Sequence, residues 1–130
     1  MIRKKILLVE DHPVNMKVLK MTLKSDQYQL LEALDGEEAL ARVPEILPDL
    51  IILDIQIPKV DGCEVAQRLK GHAEEAVRAI PILALTAYAM KGDKERIEAA
   101  GCDVYMSKPF EVKELRNMVA ALLGEERNHA

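Results

Sequence analysis

The sequence is poor in three features, and each one narrows the range of functions. Only two cysteines occur in 130 residues, Cys63 and Cys102, and their spacing suits neither a metal site nor a redox pair. Reduced thiols that pack as small side chains are typical of a cytoplasmic protein. No apolar run is long enough for a signal-peptide core or a membrane-spanning helix. The net charge of -4 argues against a surface that binds nucleic-acid phosphates.

The composition is that of an ordinary globular domain. Hydrophobic residues make up 49% of the chain and charged residues 31%, so disorder is not expected. A length of 130 residues fits one domain with a single well-formed core. Charges of both signs are scattered along the chain, so any field effect must be local.

Five segments have the patterns of β-strands. Three are continuously apolar, as strands buried on both faces of a parallel sheet are: residues 6–9, 50–53 and 80–85. Residues 28–33 and 103–106 are more mixed, which indicates edge strands.

Helical patterns follow the first two strands. Pro13 can begin the first helix, and apolar residues recur there at helical spacing: Val14, Val18 and Met21 or Thr22. The second helix, within residues 37–47, contains Pro44, which should kink it or end it early.

Two more helices are predicted near the C-terminus. Residues 91–100 are highly charged apart from Ile97, Ala99 and Ala100, which predicts a thin, mostly solvated helix. The last helix carries one apolar stripe, and Gly124 can end it. The stripe consists of Val112, Leu115, Val119 and Leu122.

With a third helix between strands 3 and 4, strand and helix alternate five times, which predicts an α/β fold with a parallel sheet covered by helices on both faces. The apolar strands 1, 3 and 4 belong in the centre of the sheet. The order 2-1-3-4-5 satisfies this requirement, and it is the flavodoxin-like order.

Polar residues follow four of the predicted strands, at the edge where such sheets bind ligands. They are Glu10 and Asp11 after strand 1, Asp54 after strand 3, Thr86 after strand 4 and Lys108 after strand 5. Three carboxylates at one edge repel each other, and Mg²⁺, which prefers oxygen ligands, would relieve that repulsion. The lysine and the hydroxyl suit a phosphoryl group that enters between them.

These motifs together resemble the receiver domain of bacterial response regulators. The resemblance covers residues 5 to about 123 and rests on four motifs in order. They are Val9-Glu10-Asp11, Leu53-Asp54 followed by Pro58 and Asp61-Gly62, Leu85-Thr86-Ala87, and Ser107-Lys108-Pro109. Residues 86–93 also resemble those of receivers that act alone or sit in hybrid kinases.

The resemblance implies a phosphorelay function for the acidic residues. Asp54 would be the nucleophile that takes a phosphoryl group from a histidine kinase or a phosphotransfer protein. Asp11 and Asp54 would ligate Mg²⁺ directly, Glu10 would act through a water, and Gln56 would offer its backbone carbonyl. The chain would catalyse its own phosphorylation and dephosphorylation without being a metabolic enzyme.

The resemblance also implies how the phosphoryl group is stabilised and sensed. Lys108 would pair with its oxygens, and its bond to Pro109 would be cis. Thr86 would bond to the phosphate, and Tyr105 would follow by changing its rotamer. The fourth and fifth predicted helices and the fifth strand would form the partner face.

Two more residues would set the lifetime of the phosphate. Gln56 and Tyr88 occupy positions that flank the approach of water to the phosphorus in the family. An aromatic side chain at position 88 offers bulk and no carboxylate to orient that water.

Three other functions are compatible with parts of this pattern. A phosphohydrolase with an aspartyl phosphate often needs a second Asp where Gln56 stands. A flavin-binding electron carrier needs a glycine- and hydroxyl-rich phosphate loop after strand 1. Here the loop reads Glu-Asp-His-Pro-Val-Asn, whose two carboxylates would repel the phosphate of the flavin. A receiver that no longer accepts phosphate stays open, because only an assay excludes it.

We expect residues 1–124 to form the receiver and residues 125–130 a short tail without an effector domain. Output would then depend on protein–protein contact, with no DNA binding and no membrane association. The sequence does not separate a complete single-domain protein from an excised piece of a longer one.

Overall fold

The computed structural model of the protein describes residues 3–87 and 91–125. Within those residues lie five strands and six helices. In chain order they are β1 (Lys4–Val9), α1 (Pro13–Leu23), β2 (Tyr28–Ala33), α2 (Gly36–Ile46), β3 (Leu50–Asp54), α3 (Gly62–Lys70), α4 (Glu75–Arg78), β4 (Ile82–Thr86), α5 (Lys91–Ala99), β5 (Val104–Ser107) and α6 (Val112–Leu122).

The strands form one parallel sheet in the order β2-β1-β3-β4-β5. This order confirms the predicted flavodoxin-like α/β fold. Its register places Val9 opposite Leu53 and Thr86 opposite Ser107, so β1, β3, β4 and β5 end at the same edge.

Helices cover both faces of the sheet through two hydrophobic clusters. One cluster joins Leu7 and Ile51 to residues of α2, α3 and α4 and to Ile97 of α5. The other joins Ile6 and Ile52 to residues of α1 and α6. Neighbouring residues of the central strands thus face opposite clusters, which is why their sequences are continuously apolar.

α1 lies where the first helix was predicted, but its apolar spacing does not mark its buried face. Val14, Val18 and Met21 are 62%, 45% and 66% exposed. The side that meets the sheet consists instead of Met16, Leu19, Thr22 and Leu23. Apolar residues occupy two sides of this helix, so periodicity located the helix without identifying its core face.

Two predictions about helices need correction. α2 runs through Pro44 to Ile46, so of the two expected effects of Pro44, a kink or an early end, the early end is wrong. Pro44 lies in the last turn, where its missing N–H removes one bond near the helix end, and the helix stops when Leu47 turns left-handed at φ 48°. α4 was not predicted, because four residues are too short to show a helical period.

The C-terminal helices follow the predicted pattern closely. In α5 the apolar contact with the core comes from Ile97, followed by the buried Ala100. In α6 Leu115 and Val119 are fully buried, whereas Val112 at its start is 46% exposed. None of the helices in the described part of the chain has the length and apolarity needed to cross a bilayer.

Both cysteines are free thiols that pack against the core. Cys63 is buried in α3, and Cys102 is half-buried just before β5. Burial raises the pKa of Cys102 to about 12, so its thiol stays protonated at neutral pH. The prediction that these side chains serve packing fits this environment.

Candidate functional site

The parallel sheet brings the predicted site residues to one edge. Glu10 and Asp11 follow β1, Asp54 ends β3, Thr86 ends β4, and Lys108 comes one residue after β5. The backbone N–H of Lys108 donates to the carbonyl of Thr86 at 2.8 Å, which fixes the turn after β5 against β4. The bond between Lys108 and Pro109 is cis, as predicted.

Glu10, Asp11 and Asp54 form an acidic cluster. One carboxylate oxygen from each lies within 4.8 Å of those of the other two. Glu10 is 1% exposed and Asp54 is 3% exposed, whereas Asp11 is exposed. The cluster therefore has a buried side and an open side, and a small cation could reach it from solvent.

Backbone amides hold the two buried carboxylates in place. The N–H of His12 donates to Glu10 Oε2 at 3.0 Å. The N–H of Gln56 donates to Asp54 Oδ1 at 3.1 Å. Each carboxylate keeps its second oxygen for the centre of the site.

Lys108 contacts both buried carboxylates of the acidic cluster. Its Nζ lies 3.0 Å from Asp54 Oδ2 and 3.2 Å from Glu10 Oε1. Burial lowers the pKa of Lys108, but the hydrogen bonds and charges of Asp54 and Glu10 outweigh this, so its pKa is raised overall. The lysine thus stays charged at neutral pH.

Asp54 ionises less readily than a solvent-exposed aspartate. Burial raises its pKa to about 6. The hydrogen bond and charge of Lys108 lower that pKa, while the charge of Glu10 raises it. One ammonium group therefore does not compensate the acidic cluster, and a further cation would stabilise it.

Two glycines let helices approach the loop that follows Asp54. A Cβ on Gly62 would lie 2.6 Å from the Cα of Ile55, and one on Gly36 would lie 2.0 Å from the carbonyl oxygen of Val60. Both distances are far inside van der Waals contact, so these close approaches require glycine. Asp61 adds the N-cap of α3, since its side chain accepts from Cys63 N at 2.8 Å.

The Gln56 side chain crosses from this loop to the end of β4. Its Nε2 donates to Thr86 Oγ1 at 3.4 Å, and its Oε1 accepts from Ala87 N at 3.3 Å. The sequence predicted a role for the backbone carbonyl of Gln56 and for its place beside the attacking water, but not this bridge. No periodicity or motif encodes the direction of a loop side chain.

The structure also places one of the two remaining predicted residues. Tyr105 on β5 is half-buried and packs against the cluster that covers the α3 face of the sheet. It lies opposite Ala84, two residues before Thr86 on β4. Tyr88, predicted to tune dephosphorylation, lies outside the described residues.

Comparison with known proteins agrees with this geometry. The model of the response regulator receiver domain matches residues 6–120. The chain belongs to the response regulator receiver family.

Relatives of this receiver include both free-standing proteins and parts of kinases. It is 42% identical over 122 residues to the polar-differentiation response regulator DivK of Brucella ovis, covering 94% of the chain and 98% of DivK. It superimposes with a TM-score of 0.84 on chemotaxis protein CheY4 of Vibrio cholerae, at 27% identity, covering 93% of the chain and 99% of CheY4.

A further structural relative contains a metal ion. The receiver domain of sensor histidine kinase PA1611 from Pseudomonas aeruginosa has a magnesium ion coordinated in its active-site cleft. It matches this receiver with a TM-score of 0.86 and 35% identity, over 95% of this chain and 100% of that domain.

Family membership gives the receiver a phosphoacceptor role in two-component signalling. Receivers interact with kinases or phosphotransfer proteins and with downstream targets. This excludes the flavin carrier, because the sheet order alone is common to both kinds of protein and the family match is to receivers.

Proposed function

We propose that Asp54 is the phosphoacceptor of this receiver and that Mg²⁺ bound to the acidic cluster is needed for the transfer. The observation that carries this proposal is the nearly buried Asp54 carboxylate, which lies 3.0 Å from Lys108 and within the acidic cluster. A nucleophile, a fixed cation and oxygen ligands for a metal meet at one point of the sheet edge. Phosphoryl transfer depends on this combination of positioning and charge stabilisation.

The donor set fits Mg²⁺ better than a softer metal. Glu10, Asp11 and Asp54 offer only carboxylate oxygens, and the backbone carbonyl of Gln56 would add another oxygen. In our proposal Asp11 and Asp54 bind the ion directly and Glu10 acts through a water. When bound, the ion would offset the negative charge of the cluster and of the incoming phosphoryl oxygens.

The chemical step uses the carboxylate of Asp54 as nucleophile. One of its oxygens attacks the phosphorus of a phosphohistidine, the P–N bond breaks, and the electron pair returns to the imidazole nitrogen. Lys108 neutralises the phosphoryl oxygens, because its Nζ already lies beside Asp54. Water later cleaves the aspartyl phosphate to free phosphate, and the receiver catalyses both steps on itself.

The output would be a changed protein-binding surface built from α5, β5 and α6. Thr86 ends β4 opposite Ser107 of β5, and the half-buried Tyr105 lies two residues earlier on β5, opposite Ala84. A hydroxyl that moves towards a phosphate on Asp54 would open space between the two strands, into which Tyr105 could rotate. The partner would be a protein, since the net charge of -4 does not favour DNA.

The lifetime of the phosphate would depend on residues beside the path of the attacking water. We assign this role to Gln56 and Tyr88. Replacing Tyr88 with Glu should speed the loss of phosphate, because a carboxylate can orient water and a phenol ring shields against it. Equal or slower decay in Tyr88→Glu would show that the shielding idea is wrong.

Mass spectrometry after incubation with acetyl phosphate and Mg²⁺ tests the phosphoacceptor assignment. We expect the mass of one phosphoryl group on the wild-type chain and none on Asp54→Asn. Asp61→Asn is the matched control, because Asp61 lies in the same loop but caps α3. A phosphorylated Asp54→Asn variant would contradict the assignment.

A further inference from the structure

The side-chain amide of Gln56 connects the phosphoacceptor loop to the end of β4. Its Nε2 donates to Thr86 Oγ1 and its Oε1 accepts from Ala87 N, at 3.4 and 3.3 Å. The backbone N–H of the same residue donates to Asp54 Oδ1 at 3.1 Å. One residue thus contacts the nucleophile, the hydroxyl expected to sense the phosphate and the next backbone amide.

The chemistry of this bridge requires a primary amide of this length. A primary amide carries its N–H donors and its acceptor on two separate terminal atoms, so it can bond to Thr86 Oγ1 and to Ala87 N at the same time. A glutamate at position 56 would lack the donor for Thr86, and an asparagine would be one methylene shorter. The bridge is therefore a property of Gln56 and not of any polar residue there.

The two hydrogen bonds are weak enough to be exchanged. Both are longer than the usual 2.9–3.0 Å for N–H···O bonds. Gln56 is exposed, so a released amide would bond to water. Thr86, in contrast, is fully buried, and its hydroxyl can only move over a short distance within the site.

We propose that Gln56 is a positioning residue that holds the end of β4 in its unphosphorylated arrangement. The inference rests on the proposed phosphorylation of Asp54. Movement of Thr86 towards a phosphoryl group on Asp54 breaks both bonds to the Gln56 amide. The bridge therefore opposes the phosphorylated arrangement, and its removal makes that arrangement easier to reach.

Beryllofluoride with saturating Mg²⁺ is the probe, because it mimics a phosphoryl group on a carboxylate and is not lost by hydrolysis of an acyl phosphate. We expect Gln56→Ala to bind it about two- to tenfold more tightly than wild type, the effect of one or two weak neutral hydrogen bonds. The Mg²⁺ affinity of each protein is measured first, so that beryllofluoride affinities are compared with the metal site filled to the same extent. Gln67→Ala on the exposed side of α3 is the matched control and should leave both affinities unchanged.

A double-mutant cycle shows whether the effect passes through Thr86. In a Thr86→Ala background, Gln56→Ala should tighten beryllofluoride binding less than it does in the wild type. Equal tightening in both backgrounds, or weaker binding by Gln56→Ala, overturns the inference.

A second measurement follows the backbone amide of Ala87, which donates to Gln56 Oε1. The ¹⁵N–¹H resonance of Ala87 should shift on addition of beryllofluoride, and in Gln56→Ala it should already lie away from its wild-type position. An identical Ala87 resonance in wild type and Gln56→Ala before the addition overturns the inference. Phosphorylation of wild-type Asp54, measured separately by mass spectrometry, distinguishes this failure from a failure of the proposed function.

Discussion

The sheet carries a lysine-centred cluster at each of its two edges, and the two are built differently. At the edge where the strands begin, Lys70 Nζ lies 3.0 Å from Asp103 Oδ2 and donates to the Ile80 carbonyl at 2.9 Å. Asp103 Oδ2 also accepts from Ile82 N at 2.8 Å. We call these residues the Lys70 clamp. At the opposite edge, Lys108 lies between Asp54 and Glu10, with Asp11 close by.

The charges in the two clusters explain their different roles. In the Lys70 clamp one cation meets one carboxylate, and neutral backbone groups make the remaining contacts. In the acidic cluster one cation meets two nearly buried carboxylates and a third in reach. The charges of the Lys70 clamp balance, and the clamp connects α3 to β4 and β5. The acidic cluster, in contrast, has more negative than positive charge. A shortage of positive charge reduces stability and favours a bound cation, which is consistent with the Mg²⁺ that we propose for this site.

Removal of a proposed metal ligand should have the largest effect on the acidic cluster and none on the Lys70 clamp. We expect Mg²⁺ to raise the melting temperature of the wild type, because a ligand that binds only the folded state stabilises it. Asp11→Ala should abolish both this shift and phosphorylation by acetyl phosphate. Differential scanning fluorimetry with and without Mg²⁺ measures the shift, and an undiminished shift in Asp11→Ala would remove Asp11 from the metal site.

The two lysines should respond differently to the same substitution. Lys70→Met removes the Lys70 donor of the Ile80 carbonyl and the cation beside Asp103, which keeps only the N–H of Ile82. The free energy of unfolding should therefore fall by about 1–3 kcal/mol. Lys108→Met should also destabilise the metal-free protein, but Mg²⁺ should restore much of the loss. Urea denaturation with EDTA or with Mg²⁺ measures both effects.

A third lysine provides the control for these two variants. Lys20 pairs with Glu32 at 2.5 Å on the surface, with 46% of its side chain exposed. Lys20→Met should change the free energy of unfolding by less than about 1 kcal/mol. Rescue of Lys70→Met by Mg²⁺ would break the distinction between the clamp and the acidic cluster.

Thr86 should affect signalling without affecting phosphate capture. Thr86→Ala should still accept phosphate on Asp54, yet lose most of the phosphate-dependent change in partner affinity, a coupling of about 1–3 kcal/mol. It should also lose the change in the Tyr105 environment, which NMR on labelled tyrosine detects. A full Tyr105 response in Thr86→Ala would exclude Thr86 as the link.

The last prediction concerns pH in the absence of Mg²⁺. The pKa of Asp54 is about 6 in the folded protein and about 4 in an unfolded chain, so the unfolded state releases its proton first as pH rises. Asp54 therefore contributes stability that is present below about pH 4 and is lost as pH rises through about 6. The raised pKa of Lys108 affects stability only in the alkaline range. Glu10 and Asp11 are present both in the wild type and in Asp54→Asn, so a comparison of these two proteins isolates Asp54.

Melting temperatures in EDTA from pH 4 to 7 measure this contribution. The difference between wild type and Asp54→Asn should move in favour of the variant as the pH rises. A difference that stays constant with pH would show that Asp54 titrates alike in the folded and unfolded states.

Much of the site follows from sequence, because parallel strands that end in polar residues must bring those residues together. That reasoning assembled the acidic cluster, Thr86 and Lys108 correctly. It did not find the Gln56 bridge, because the direction of a loop side chain depends on the groups that face the loop in the folded structure. Here those groups belong to the end of β4. The core face of α1 was not identified either. Val14 and Val18 recur at helical spacing just as the buried apolar residues do, but they face solvent.

The position of Lys108 in the chain has a consequence for biosynthesis. All three residues of the acidic cluster belong to the first 54 residues. Lys108, which contacts Asp54, is synthesised another 54 residues later. On the ribosome, β1 and β3 can pair before the lysine has been made. A nascent receiver in which β1 and β3 have paired would hold these carboxylates without Lys108, and the residues that follow β5 would then supply the missing positive charge.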